Sequence, residues 1–139
     1  MVLDFHKYEG AGNDFIVVDD RALEFPAGDH ELVHRLCDRR FGIGADGLML
    51  LRDRPGYDFG MVYFNADGKE GSMCGNGGRC IAAFAHKLGV AGKSMTFMAV
   101  DGPHEAVLEN GLVNLKMSDV HAIETGSGFY YLNTGSPHY

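Results

Sequence analysis

Residues 71–89 read Gly71-Ser72-Met73-Cys74-Gly75-Asn76-Gly77-Gly78-Arg79-Cys80-Ile81-Ala82-Ala83-Phe84-Ala85-His86-Lys87-Leu88-Gly89. Glycine crowds the front of this stretch and alanine its middle. Gly75 to Gly78 opens a helix whose body runs from Arg79 to Leu88. Ile81, Phe84, Ala85 and Leu88 recur at helical spacing and form one apolar face. His86 and Lys87 occupy the last turn, where a positive charge suits the helix dipole, and Gly89 fits the position just past the cap. Ala82, Ala83 and Ala85 are small, so the helix is wrapped closely on several sides. Something must do the wrapping, and the flanking chain is rich in strand patterns.

Downstream, Met95 to Val100, His104 to Glu109 and Leu112 to Met117 read as strands, and Asn110-Gly111 is a strong hairpin turn between the last two. A further strand is expected near Phe129 to Leu132. Upstream, Val2 to Tyr8 reads as a strand, Gly10-Ala11-Gly12-Asn13-Asp14 as a turn, and Phe15 to Val18 as a short strand. Asp29 is placed to cap a helix over residues 30–39 whose apolar face is Leu32, Val33, Leu36 and Cys37. Phe41 to Gly47 is a glycine-rich loop. Leu48 to Arg52 and Tyr57 to Asn65 are strands, and Asn65-Ala66-Asp67-Gly68 is a turn. Many strands with two helices favour an α+β fold.

The length suggests one domain, or one and a fraction, and the composition is that of a globular chain. Of 139 residues, 45% are hydrophobic and 22% charged, which excludes disorder, collagen and coiled coil. Twelve Lys and Arg against 19 Asp and Glu give a net charge of −7, with no basic block, which argues against a nucleic-acid or anionic-membrane surface. The longest apolar runs are four or five residues, far short of the roughly 20 that a membrane span needs. The charged N-terminus does not resemble a signal peptide, so the expected location is the cytoplasm. Three Cys in such a compartment point to buried or reactive thiols rather than a disulfide framework. The twenty glycines imply many tight turns or close backbone approaches.

Cys74 precedes the glycine-rich helix start. Amides exposed there carry partial positive charge, lower a thiol pKa from about 8.5 into a range of roughly 3.5–7.5, and hold carboxylate or phosphate. An activated thiolate beside an anion site is one reading, and a small buried hydrophobe is the other. Cys80 and Cys37 read as buried. Arg35, Arg39 and Arg40 are expected to face solvent. No Cys or His spacing suits zinc, so no metal is expected. Residues 10–14 lack the third glycine and the following helix of a dinucleotide loop. Asn13 and Asn65 read as turn residues or as hydrogen-bonding partners for the ammonium and carboxylate of an amino acid, and His138 as an exposed loop residue.

Four segments occur in order: Gly10-Ala11-Gly12-Asn13-Asp14-Phe15; Arg40-Phe41-Gly42-Ile43-Gly44-Ala45-Asp46-Gly47; Phe64-Asn65-Ala66-Asp67-Gly68; and Met73-Cys74-Gly75-Asn76-Gly77-Gly78-Arg79-Cys80. Together they closely resemble the diaminopimelate epimerase family, over nearly all of this chain but about half of the family's length. The last block is the most specific. Proline racemases have a related Cys-Gly segment, usually with His where this chain has Asn76.

The resemblance implies a cofactor-independent isomerase that interconverts LL- and meso-2,6-diaminopimelate. One Cys thiolate removes the α-proton from one face, and a second Cys thiol returns one to the other. Cys74 matches the first of these, and the second belongs to a second domain. The amides of Gly75 and Asn76 match the substrate-carboxylate site, Asn13 and Asn65 match substrate-binding amides, and His138 matches a histidine that tunes the thiols. Two positions depart. Gly47 stands where some members carry a substrate-contacting Gln. Ser136 stands where many have Asn, which weakens its assignment to substrate binding.

The implied fold is a mixed strand barrel around a central helix. Residues 1–118 would be the first domain and 119–139 the opening of a second, truncated before most of it. Such a chain would by itself be inactive and would leave an unpaired edge. The substrate is the partner that the resemblance implies, with a homodimer as one open arrangement. The competing reading is a non-catalytic amino-acid-binding or interaction module derived from a half enzyme.

Overall fold

The structure, a computed structural model, describes residues 2–72, 75–116, 123–126, 128–133 and 137–138. Among them are strands β1 (His6–Gly10), β2 (Asn13–Asp19), β3 (Gly47–Arg52), β4 (Phe59–Asn65), β5 (Ser94–Ala99), β6 (Gly102–Glu109) and β7 (Leu112–Lys116). Two helices interrupt them, α1 (His30–Cys37) and α2 (Gly75–Leu88). Strands β8 (Ile123–Gly126), β9 (Phe129–Asn133) and β10 (Pro137–His138) form a separate three-stranded antiparallel sheet.

The seven-stranded sheet follows chain order, β1 to β7, and is mixed. β2 and β3 are parallel, as are β4 and β5, and the other neighbours are antiparallel. A parallel pair needs a crossover, and α1 and α2 supply the two. Both crossovers step in the same direction across the sheet, but β4 runs opposite to β2. The preference for right-handed crossovers then sends the two helices to opposite faces. The buried residues divide accordingly. Phe15, Val17, Met49 and Leu51 pack with Ile81, Phe84 and Ala85 of α2. Ile16, Val18, Leu48 and Leu50 pack with Val33 and Cys37 of α1. Burial on both faces explains why β2 and β3 read as unbroken apolar runs rather than alternating ones.

The sheet curls. Both of its edge strands, β1 and β7, touch α2, so it forms a half-barrel around that helix rather than a closed barrel. His6 and Tyr8 of β1 meet the Phe84 ring at centroid distances of 5.1 and 5.7 Å. Phe59 and Phe97 stack at 4.8 Å across β4 and β5. His104 is buried beside Phe97, with Nε2 2.7 Å from Asp101 Oδ1.

Several sequence expectations shift. The first strand is His6–Gly10 rather than 2–8, because its partner β2 begins at Asn13 and only Ala11-Gly12 are left to turn. Helix α1 stops at Cys37, two residues early: Asp38 is extended, and its carboxylate accepts from the Arg40 and Phe41 amides at 2.8 Å. Its start is as expected, with the Asp29 carboxylate accepting from the Leu32 amide at 3.0 Å. β4 starts at Phe59 rather than Tyr57, β8 has no counterpart in the sequence reading, and Met117 lies outside the described residues. The Asn110-Gly111 hairpin forms with φ of 52° and 76°, the left-handed pair that a tight two-residue turn demands.

Candidate active site

β2 begins at Asn13, β3 begins at Gly47 and β4 ends at Asn65. Gly47 pairs with Phe15 on one side and with Asn65 on the other. Alternation along the strands puts Gly47 in step with Met49 and Leu51, and Asn65 in step with Met61 and Phe59, all of which face α2. One end of the concave face therefore presents Asn13, Gly47 and Asn65.

The N-terminus of α2 arrives at the same end. Asn76 donates from Nδ2 to Asn13 Oδ1 at 2.7 Å. Arg79, one turn further along, donates to Asn76 Oδ1. Gly10 lies against the same turn: a Cβ there would stand 3.3 Å from both the Asn76 carbonyl oxygen and Cys80 Sγ. Gly75 is the first residue of the helix, so its amide is among those that no helical carbonyl can satisfy.

Gly47 has a steric reason. A Cβ there would sit 2.7 Å from the Phe64 carbonyl oxygen and 2.8 Å from the Tyr63 hydroxyl. A Cβ on Gly71 would sit 2.7 Å from Asn65 Nδ2 and 2.9 Å from the Tyr63 ring. Tyr63 and Asn65 thus occupy space that two glycines leave open, and a side chain at position 47 has no room in this packing. Asn65 also opens its turn, accepting the Gly68 amide at 2.9 Å through its carbonyl.

Behind Asn13 stands an ionic network that the sequence reading missed. The Asp14 carboxylate accepts from Lys7 Nζ at 2.8 Å and from two Arg39 nitrogens at 2.8 and 3.1 Å. Lys7 Nζ also donates to the Gly44 carbonyl. Asp46 accepts from Asn13 Nδ2 and the Asp14 amide at 3.2 Å each and from Arg39 at 3.1 Å. Arg39 is exposed, as expected, and its guanidinium also ties the two motif loops together. Its hydrogen bonds, with help from Lys7, hold the Asp14 carboxyl well below the usual carboxylate range, and Asp14 in turn raises the pKa of Arg39. Both acids lie in motif blocks whose spacing is dominated by glycine. Charge complementarity between residues 7, 14, 39 and 46 was the available signal.

Cys37 and Cys80 are buried, as expected. Burial pushes the Cys37 thiol up to about 11, so it stays protonated at neutral pH. Cys74 and Ser136 lie outside the described residues. His138, in β10, pairs with Leu132 of β9 in the three-stranded sheet, and its side chain is outside what is described. Among the described residues no group of three or more His, Cys, Asp or Glu could hold a metal ion, and no helix is long and apolar enough to cross a membrane.

The sequence profile of the diaminopimelate epimerase family matches residues 5–128. The chain belongs to the diaminopimelate epimerase family. It is 49% identical to the diaminopimelate epimerase of Flavobacterium psychrophilum over 138 residues, covering 99% of this chain and 54% of that relative. Against the Chlorobaculum tepidum enzyme of the same name it is 47% identical, covering 93% of this chain and 53% of the relative. The chain therefore spans about half the length of the curated relatives it matches.

Solved structures carry the fold further than the sequence likeness. A Bacillus anthracis phenazine biosynthesis protein of the PhzF family superposes with a TM-score of 0.63 at 18% identity, over 84% of this chain and 40% of that one. A probable proline racemase from Agrobacterium radiobacter gives 0.61 at 15% identity, over 92% and 47%. At such identities the likeness is one of fold. This chain shares its fold with both of these structures.

Proposed function

We propose that the full-length protein carrying this chain is a cofactor-independent epimerase that interconverts LL- and meso-2,6-diaminopimelate. The observation that carries the reading is the Asn13–Asn76 hydrogen bond, which joins the first motif block to the last at the end of the sheet where Gly47 and Asn65 lie. Membership of the diaminopimelate epimerase family supports this choice of substrate. Residues 1–118 form the first domain, and 119–139 open the second.

In this scheme Cys74 is one of two thiols that flank the α-carbon. As thiolate it takes the α-proton, and the second thiol, contributed from beyond this chain, delivers a proton to the opposite face. The roles reverse with direction. The amides of Gly75 and Asn76, at the start of α2, stabilise charge developing toward the substrate carboxylate. Asn13 and Asn65 bind the substrate's polar groups, His138 tunes the thiols, and Ser136 contributes a weaker contact.

The test is exchange of the substrate α-proton for solvent deuterium by the full-length protein. Wild type should exchange it and Cys74→Ala should not. Undiminished exchange in Cys74→Ala would overturn the assignment of the base. Saturable binding of diaminopimelate by wild type without any exchange would identify a non-catalytic binding module instead.

A further inference from the structure

Asn13 and Asn76 belong to a hydrogen-bond chain with a charge at each end. Arg79 donates to Asn76 Oδ1, Asn76 donates from Nδ2 to Asn13 Oδ1 at 2.7 Å, and Asn13 donates from Nδ2 to Asp46 Oδ2 at 3.2 Å. A guanidinium only donates, and an ionised carboxylate only accepts. These ends leave each amide one orientation. Turning Asn76 over would set its N–H against Arg79, and turning Asn13 over would set its oxygen against Asp46. Both carboxamide oxygens already hold a donor, while each nitrogen carries a second N–H that the chain does not use. The pair is thereby biased to meet a ligand as donors.

We infer that Asp46 and Arg79 are positioning residues that hold Asn13 and Asn76 as N–H donors toward a carboxylate of the substrate. The inference rests on the reading of this site as an amino-acid site, and it specifies which part of the amino acid the amides recognise. Without the charged ends, either amide is free to present its oxygen to an ammonium group instead. Both ends are themselves held. Asp46 takes hydrogen bonds from Arg39 and the Asp14 amide. Arg79 sits three residues from Asn76 on α2, a spacing that places the two side chains together.

The experiment compares variants at each end in the full-length protein. Arg79→Lys keeps a donor-only cation, whereas Arg79→Gln and Asp46→Asn introduce groups that can both donate and accept. KM for diaminopimelate should rise about tenfold in Asp46→Asn and Arg79→Gln, the worth of about one hydrogen bond, with kcat changed less than about threefold. Arg79→Lys should keep KM within about threefold of wild type. A second readout does not depend on turnover: the side-chain amide NMR signals of Asn13 and Asn76 in ligand-free protein. They should be sharp and slow to exchange in wild type and Arg79→Lys, and broadened in Asp46→Asn and Arg79→Gln. Unchanged KM and amide signals in Arg79→Gln would overturn the proposal, as would equal KM rises in the Lys and Gln variants. The Arg79 pair decides the matter even if Asp46→Asn fails to fold. Polarised amides in a wild-type protein that does not turn over diaminopimelate would leave this relay standing and remove the epimerase reading.

Discussion

Asp14 sits where two loops and a strand meet, with Lys7, two Arg39 nitrogens and the Asp46 amide all directed at its carboxylate. Its side chain is about one quarter exposed, so solvent screens part of the gain, and Asp14→Asn should cost about 1 kcal/mol at pH 7. The pH dependence has a definite sign. The folded-state pKa is depressed, so the stabilisation is complete above the unfolded value of about 4 and fades as pH falls toward the lower folded value. Urea midpoints measured from pH 7 to pH 2.5 should therefore converge for wild type and Asp14→Asn below about pH 4. A difference that stayed constant across that range would contradict the charge network. None of these pairings shows in residue spacing, because the partners are 7 to 32 positions apart.

Elements were legible where local chemistry governs them. The Asp29 cap, the Asn110-Gly111 turn and the Gly75 helix start each depend on a few adjacent residues, and each forms as expected. Boundaries that depend on a partner strand shifted, as β1 and β4 show. The junction of β2 and β3 carries a feature of this second kind. Asp20, just past β2, is 2% exposed; it accepts Arg52 Nε of β3 at 2.8 Å and the Phe25 amide at 2.9 Å. Removing that carboxylate leaves a guanidinium and a buried amide without their acceptor. Asp20→Ala should lose about 2–3 kcal/mol, less than a fully buried pair costs because Arg52 still reaches water. Chemical denaturation checks this, and a loss below about 0.5 kcal/mol would show that the pair is solvent-compensated.

At the scale of the molecule, the half-barrel depends on α2. That helix touches both edges of the sheet, and Phe84 is its largest fully buried side chain, meeting His6 and Tyr8 of β1. Phe84→Ala should cost about 3–5 kcal/mol. Because β1, among the described residues, is an edge strand paired only with β2, its amides should lose hydrogen-exchange protection first. Equal loss of protection in β1 and β3 would mean that the sheet melts as one unit rather than opening from its edge.

The α+β class, the enclosed alanine-rich helix, the burial of Cys37 and Cys80, and the family are all legible in the amino-acid order. These follow from periodicity, side-chain size and motif blocks, which are local properties of the chain. Three-dimensional packing was needed to see that the sheet of the described residues is a half-open barrel, that Gly47 is glycine because Tyr63 and the Phe64 carbonyl fill its space, and that Arg39 binds the loops of Asp14 and Asp46 together. It also decided the orientation of Asn13 and Asn76, which is imposed by a carboxylate and a guanidinium from different segments. Curvature, close contact and hydrogen-bond polarity arise between residues distant in sequence, so they have no periodic signature to read.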